Sequence, residues 1–159
     1  MFEKSLGPNH PHVATALSDR AGLLKKQGKY DEADPLYARV LQILAATGEE
    51  HPNYAAALNN RAGLLESQGK YDEADPLYTR VLQILAATVG EEHPNYAKAL
   101  NNRAGLLESQ GKYDDAAPLY QRALAIDEKV LGPDHPDVAT DLNNWAGLLE
   151  RQVRAKKCF

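Results

Sequence analysis

The sequence predicts an all-α fold, a right-handed α-solenoid of about seven helices, on three observations. His10-Pro11, His51-Pro52, His93-Pro94 and His135-Pro136 recur at steps of 41, 42 and 42 residues. Long blocks recur with them: residues 49–72 and 91–114 differ only at Ala56 against Lys98, and residues 30–47 and 71–88 only at Ala38 against Thr79. The leucines and alanines keep helical steps of three and four, and the period-two alternation of a strand is absent. A repeat of this length means stacked units, none of which can bury its apolar face alone.

The second unit serves as the type. Pro52 opens it, in the first helical position, where a missing N–H costs nothing. Ala55, Leu58, Ala62 and Leu65 form one apolar stripe, widened by Leu64. Gly69 stops this helix where a left-handed residue is needed, and Lys70-Tyr71 make the turn. Asp72 is the expected cap of the next helix, with Glu73 and Asp75 in its positive first turn. Ala74, Leu77, Tyr78, Val81, Leu82 and Leu85 form the second stripe, and Pro76 is expected near the first turn. Carried along the chain, this unit gives helices near 11–27, 30–46, 52–68, 72–88, 94–110, 114–130 and 136–155. In the fourth unit Val153 stands where Gly is due, so the last helix runs on as a cap, with Arg151, Arg154, Lys156 and Lys157 complementing its dipole.

Composition narrows the function. The 159 residues are 43% hydrophobic and 25% charged, with a formal net charge of −4. That sign argues against nucleic acid, which needs a basic face. No apolar run approaches the ~20 residues of a membrane span. The single cysteine, Cys158, allows no internal disulfide and suits a reducing, cytoplasmic setting.

Residues 14–47, 55–88 and 97–130 carry a pattern that resembles the tetratricopeptide repeat, in a 42-residue form similar to that of kinesin light chains. The signature places in the second unit are Leu58, Ala62, Leu65, Gly69, Tyr71, Ala74, Tyr78 and Val81. Leu17, Ala21, Leu24, Gly28, Tyr30, Ala33, Tyr37 and Val40 match them in the first unit. In the third they are Leu100, Ala104, Leu107, Gly111, Tyr113, Ala116, Tyr120 and Ala123. The linker Leu131-Gly132-Pro133-Asp134-His135-Pro136 is also similar to the kinesin light chain linker. Residues 11–50, 51–92 and 93–134 are then three repeats and 135–159 a terminal half-repeat. Residues 1–10 parallel the end of a second helix, Glu3-Lys4-Ser5-Leu6-Gly7 against Glu128-Lys129-Val130-Leu131-Gly132, and read as the remnant of a preceding repeat.

The resemblance implies a concave groove lined by the first helix of each unit, binding an extended peptide or a partner helix. On that face the expected contacts are Asn59, Asn60, Gly63 and Glu66, then Lys98, Asn101, Asn102, Gly105 and Glu108, then Asn143 and Asn144. Asparagine offers donors and an acceptor, so one per unit suits a ladder that holds a peptide backbone. The competing reading is that these amides bond neighbouring helices. The mid-helix glycines Gly22, Gly63, Gly105 and Gly147 imply either close helix–helix approach or room for a ligand backbone. Arg20, Arg61 and Arg103 stand where the family often has Leu. They face a ligand, or they pack their stems and pair with a helix carboxylate; Trp145 at the fourth place favours packing.

The four histidines would lie in a row rather than converge, so no metal site is expected. No nucleophile sits beside a base and no phosphate-binding glycine loop occurs, so neither catalysis nor a cofactor is expected. The chain reads as a non-catalytic protein-interaction scaffold. The alternative is a structural, self-associating array, excised or designed, that pairs with another copy through exposed terminal repeat faces.

Overall fold

A computed structural model of the chain describes residues 7–157. Its seven helices are α1 (Pro11–Lys26), α2 (Tyr30–Ala45), α3 (Pro52–Ser67), α4 (Tyr71–Thr88), α5 (Pro94–Ser109), α6 (Tyr113–Leu131) and α7 (Pro136–Lys157). No strand occurs among the described residues. This is the all-α, helix-turn-helix repeat architecture that the sequence predicts. Glu3 to Leu6 and Cys158, on which two expectations rest, lie outside the described residues.

The helix ends follow from backbone needs. Gly28, Gly69 and Gly111 adopt φ of +76°, +74° and +75°, a region closed to most side chains. Each allows a paired closure: Lys29 N–H bonds Leu24 O at 2.9 Å and Gly28 N–H bonds Lys25 O at 3.0 Å, with the same pattern at Lys70 and Lys112. The second helices then begin at Tyr30, as expected, and at Tyr71 and Tyr113, one residue earlier than expected. Asp72 is therefore not a cap. It joins Glu73 in the first turn, where both answer the helix dipole. The caps of α2 and α6 are Lys29 and Lys112, without a side-chain bond. Pro76 consequently falls in the second turn, beyond the free N-terminal amides, and forfeits one ladder hydrogen bond.

The first helices start differently. His10, His51, His93 and His135 precede a proline, and each turns its Nδ1 back to accept an N–H two residues on. The N–H donors are His12 at 3.2 Å, Asn53 at 3.0 Å, Asn95 at 3.0 Å and Asp137 at 3.1 Å. Imidazole thus does the work of a Ser or Asp cap, four times over. This explains the His-Pro repeat; among the described residues no group of three or more His, Cys, Asp or Glu side chains is placed to hold a metal ion.

The chain packs as two compact units, Met1–Ile84 and Leu85–Phe159. The division falls inside α4, so it is not a repeat boundary. In the first unit Ala21, Leu24, Ala33 and Tyr37 form a core with Leu64 of the following α3. In the second unit Ala104, Leu107, Ala116 and Tyr120 close with Leu148 of α7 in the same way. Trp145 packs against that second cluster, as its place in the repeat suggests. Arg61 pairs as the packing alternative expects: its Nε donates to Asp34 Oδ1 of α2 at 3.0 Å, both groups about one-third exposed.

Replacing His51 or His93 by Ala removes an N-cap and should lower unfolding free energy by about 0.5–2 kcal/mol, whereas Asn at either place should keep most of it. Urea denaturation followed by circular dichroism measures the difference.

Candidate functional site

The predicted stripe is distributed over the first helices of both units. In the first unit α1 supplies Thr15, Ser18, Gly22 and Lys25, and α3 supplies Ala56, Asn59, Gly63 and Glu66. Thr15, Ser18, Ala56 and Asn60 line a cavity of about 270 Å³ whose walls include Val40 and Leu44 of α2. Asn60 is exposed and Asn59 half-buried. Glu66 accepts a 2.9 Å hydrogen bond from the Tyr78 hydroxyl.

In the second unit Lys98 and Asn101 of α5 and Thr140 of α7 line a cavity of the same volume, about 270 Å³. The two cavities occupy equivalent places in the repeat, but their chemistry differs. Where the first has Leu44 of α2 and Ala57 of α3, the second has Asp127 of α6 and Asp141 of α7. Both carboxylates are almost fully buried, 4% and 1% exposed. Asn101 Nδ2 donates to Asp141 Oδ1 at 2.6 Å. Asp127 Oδ1, Asp141 Oδ2 and Asn101 Oδ1 lie buried without a hydrogen-bond partner. Burial, above all, pushes the Asp127 carboxyl up to about 7, helped by its hydrogen bond with Asp141 and by the charges of Asp141 and Asp137. The pair therefore holds a proton well above the ordinary carboxylate range.

The remaining predicted residues divide by their partners. Glu108 is engaged twice: the Tyr120 hydroxyl donates to Oε2 at 2.8 Å and Arg151 Nη1 to Oε1 at 2.6 Å. Its role in the fold is to tie α6 and α7 to α5. Asn101 likewise follows the helix-bonding alternative through its amide, while its carbonyl oxygen stays open to a donor. Lys98 and Asn143 are exposed; Asn102 and Asn144 are half-buried.

The glycines do not mark close backbone approach. A Cβ on Gly105 would meet only the Tyr120 hydroxyl at 3.7 Å, and on Gly22 the Tyr37 hydroxyl at 3.8 Å. On Gly63 it would meet the flexible end of Lys25 at 3.1 Å, and on Gly147 nothing within 4 Å. Helix–helix packing therefore does not impose these four glycines.

Asp127 and Asp141 escaped the sequence reading, although a signal was present. Leu44 and Leu85 occupy the Asp127 place in the earlier units, and Ala57 and Ala99 the Asp141 place. Two acidic substitutions at apolar positions, in facing helices, break an otherwise tight repeat.

This architecture, hairpins closed by Tyr and Ala and sealed by the next helix, is that of helical-repeat proteins. The tetratricopeptide-repeat sequence profile matches residues 12–87, 53–129 and 95–157, so the chain belongs to that family. Among solved structures, it is similar to the nearly identical TPR-like repeats of a putative kinesin light chain from Podosopora anserina. There the identity is 26% and the TM-score 0.80, over 93% of this chain and 71% of that one. It is also similar to BtubC (BKLC) from P. vanneervenii, with 28% identity and a TM-score of 0.79, over 89% of this chain and 57% of that one. The first TPR domain of human RPAP3 shares the fold, at 20% identity and a TM-score of 0.61, over 91% of this chain and 98% of that domain. No curated protein sequence matches the chain.

The carboxyl pair gives a signed pH effect. Asp127 is protonated in the fold at pH values where an unfolded aspartate, near 3.9, is ionised. Its contribution to stability is therefore fullest below about pH 4 and is lost as pH rises through about 7. Asp127→Asn should accordingly be more stable than the parent by roughly 1–4 kcal/mol above pH 7, an advantage that shrinks towards pH 4. Paired chemical denaturation at several pH values checks both the sign and the convergence.

Proposed function

We propose that the chain is a non-catalytic protein-interaction module that holds extended segments of a partner protein against the first helices of its units. Tetratricopeptide repeats generally mediate protein–protein interaction, which makes a protein partner the starting point. The observation that carries the finer reading is the pair of equivalent cavities, one in each compact unit and both lined by residues of the predicted stripe. Asn59, Asn60, Gly63 and Glu66 would serve the first unit. Lys98, Asn101, Asn102, Gly105, Glu108, Asn143 and Asn144 would serve the second, with Asp127 and Asp141 beneath them.

The chemistry of each cavity suggests what it accepts. Val40 and Leu44 suit an apolar side chain in the first. In the second, the three buried acceptors of Asn101, Asp127 and Asp141 call for a donor, which a lysine or arginine side chain or a peptide N–H supplies. Glycines that accept a Cβ without backbone collision leave the helix surface low, as approach of a ligand backbone requires. No helix among the described residues is long and apolar enough to cross a membrane. A reducing cytoplasmic setting and a partner other than nucleic acid complete the reading, on the single cysteine and the net charge of −4.

Selection from a random peptide library against the whole chain tests the proposal. Enriched peptides should bind the parent and lose at least about tenfold in affinity to Asn59→Ala/Asn101→Ala, as removal of hydrogen-bonding partners from a desolvated site predicts. Peptides that bind both proteins equally would refute the asparagine contacts, and a selection without enrichment would refute the peptide groove.

A further inference from the structure

The cavity of the second unit breaks the chemistry of the repeat. Places that hold Leu44 and Ala57 in the first unit hold Asp127 and Asp141 in the second. Both carboxyls are almost sealed from water. Asn101 Nδ2 donates to Asp141, and Asp141 hydrogen-bonds Asp127, so one polar cluster joins α5, α7 and α6. Asn101 Oδ1, Asp127 Oδ1 and Asp141 Oδ2 are buried without a partner. Buried acceptors that lack a donor are costly. A proton shared by the two carboxyls serves those two and leaves Asn101 Oδ1 unserved.

The other lining residues, Pro94, Asn95, Lys98, Asp137 and Thr140, do not supply the donor. The Thr140 hydroxyl is committed to Pro136 O at 3.3 Å. Lys98 is the one cation in the lining; it is exposed, and no cation offsets the burial and the neighbouring acids that raise Asp127. Asp137 adds a further negative charge. A hard divalent ion matches poorly. It takes ~6–8 oxygens, and among the described residues no group of three or more acidic, His or Cys side chains is placed to hold one. The volume, about 270 Å³, is many times the ~30 Å³ share of one water and gives room for a long side chain.

We propose that this cavity is a lysine-reading subsite, in which the ammonium of a partner's lysine side chain donates to Asn101 Oδ1, Asp127 Oδ1 and Asp141 Oδ2. The proposal rests on the reading of the first helices as a peptide groove, and it commits that reading to one side chain. An ammonium carries three donors and no acceptor on a compact head, which suits three acceptors on three different side chains. A guanidinium is a flat fork matched to the two oxygens of one carboxylate, and a peptide N–H brings a single donor without charge. As the ammonium enters, the proton held by the carboxyl pair leaves to solvent.

NMR titration of the whole chain with Nα-acetyl-lysine methylamide, followed at the Asn101 side-chain amide, tests the proposal. The probe should bind saturably at pH 8, and its Nε-acetylated form, which keeps the stem and loses the charge, at least about tenfold more weakly. The affinity should be about tenfold lower at pH 6 than at pH 8, because Asp127, raised to about 7, must give up its proton. Asp127→Leu/Asp141→Ala restores the residues of the first unit, so helicity by circular dichroism should hold while binding is lost. A lysine probe that does not bind, or that binds this variant or the Nε-acetylated form's site equally well, would overturn the subsite. Equal binding of Nα-acetyl-arginine methylamide would overturn the choice of ammonium. Library-selected peptides with no preference for lysine would overturn the subsite while leaving the groove standing. A probe that binds when no peptide is enriched would support the subsite and count against the groove.

Discussion

One leucine, supplied by the helix that follows, closes each described hairpin core. Leu64 lies over Ala21, Leu24, Ala33 and Tyr37, and Leu148 over Ala104, Leu107, Ala116 and Tyr120. Both leucines are fully buried. Two helices alone leave the tyrosine–alanine layer open on one side, and the third removes it from water. Everything else serves to bring that third helix back at the right place. A positive-φ glycine reverses the chain between the helices of a hairpin, and a histidine cap with its proline starts the next first helix. Arginines then tie the intervening loops: Arg80 pairs with Glu50, and Arg122 Nη2 with Glu91 Oε2 at 2.9 Å.

Because the closing residue is borrowed, a helix that no later described helix packs on exposes what the earlier ones hide. This ties the cores to the surface of α7. Its inner face seals the second unit through Val138 and Leu148, while its outer face repeats an apolar stripe that α5 keeps buried. The same logic governs the cavities. They are lined by two successive first helices and the second helix between them, so their position is set by the repeat and their chemistry by a few side chains. Replacing a leucine and an alanine by Asp127 and Asp141 changes an apolar wall into a proton-holding one without altering the scaffold.

The helices were legible because period, proline and glycine are local signals, and local signals suffice when every unit repeats them. Pairing of Arg61 with Asp34 was legible for a similar reason: a long cation on a packed helix edge has few other places to go. The histidine caps were not, because imidazole is not among the usual capping groups and its acceptor role depends on ring orientation. The starts of α4 and α6 at Tyr71 and Tyr113 were missed by one residue because the glycine–lysine closure consumes fewer residues than an aspartate cap would need. The glycines misled on distance, which spacing does not encode: the nearest atoms are tyrosine hydroxyls and a lysine tip, not backbone. Asp127 and Asp141 lie 14 residues apart on different helices, and only the fold brings them together.

Leu148→Ala, examined by denaturant unfolding together with native-state hydrogen exchange, tests the shared-core account most directly. Removing a fully buried leucine from the junction should cost about 2–5 kcal/mol. The protection of the Ala104 and Ala116 amides should fall with it, because those helices lose their seal. A cost below about 1 kcal/mol, or protection in α5 and α6 that ignores the change, would show that each hairpin stands without its neighbour and would contradict the account.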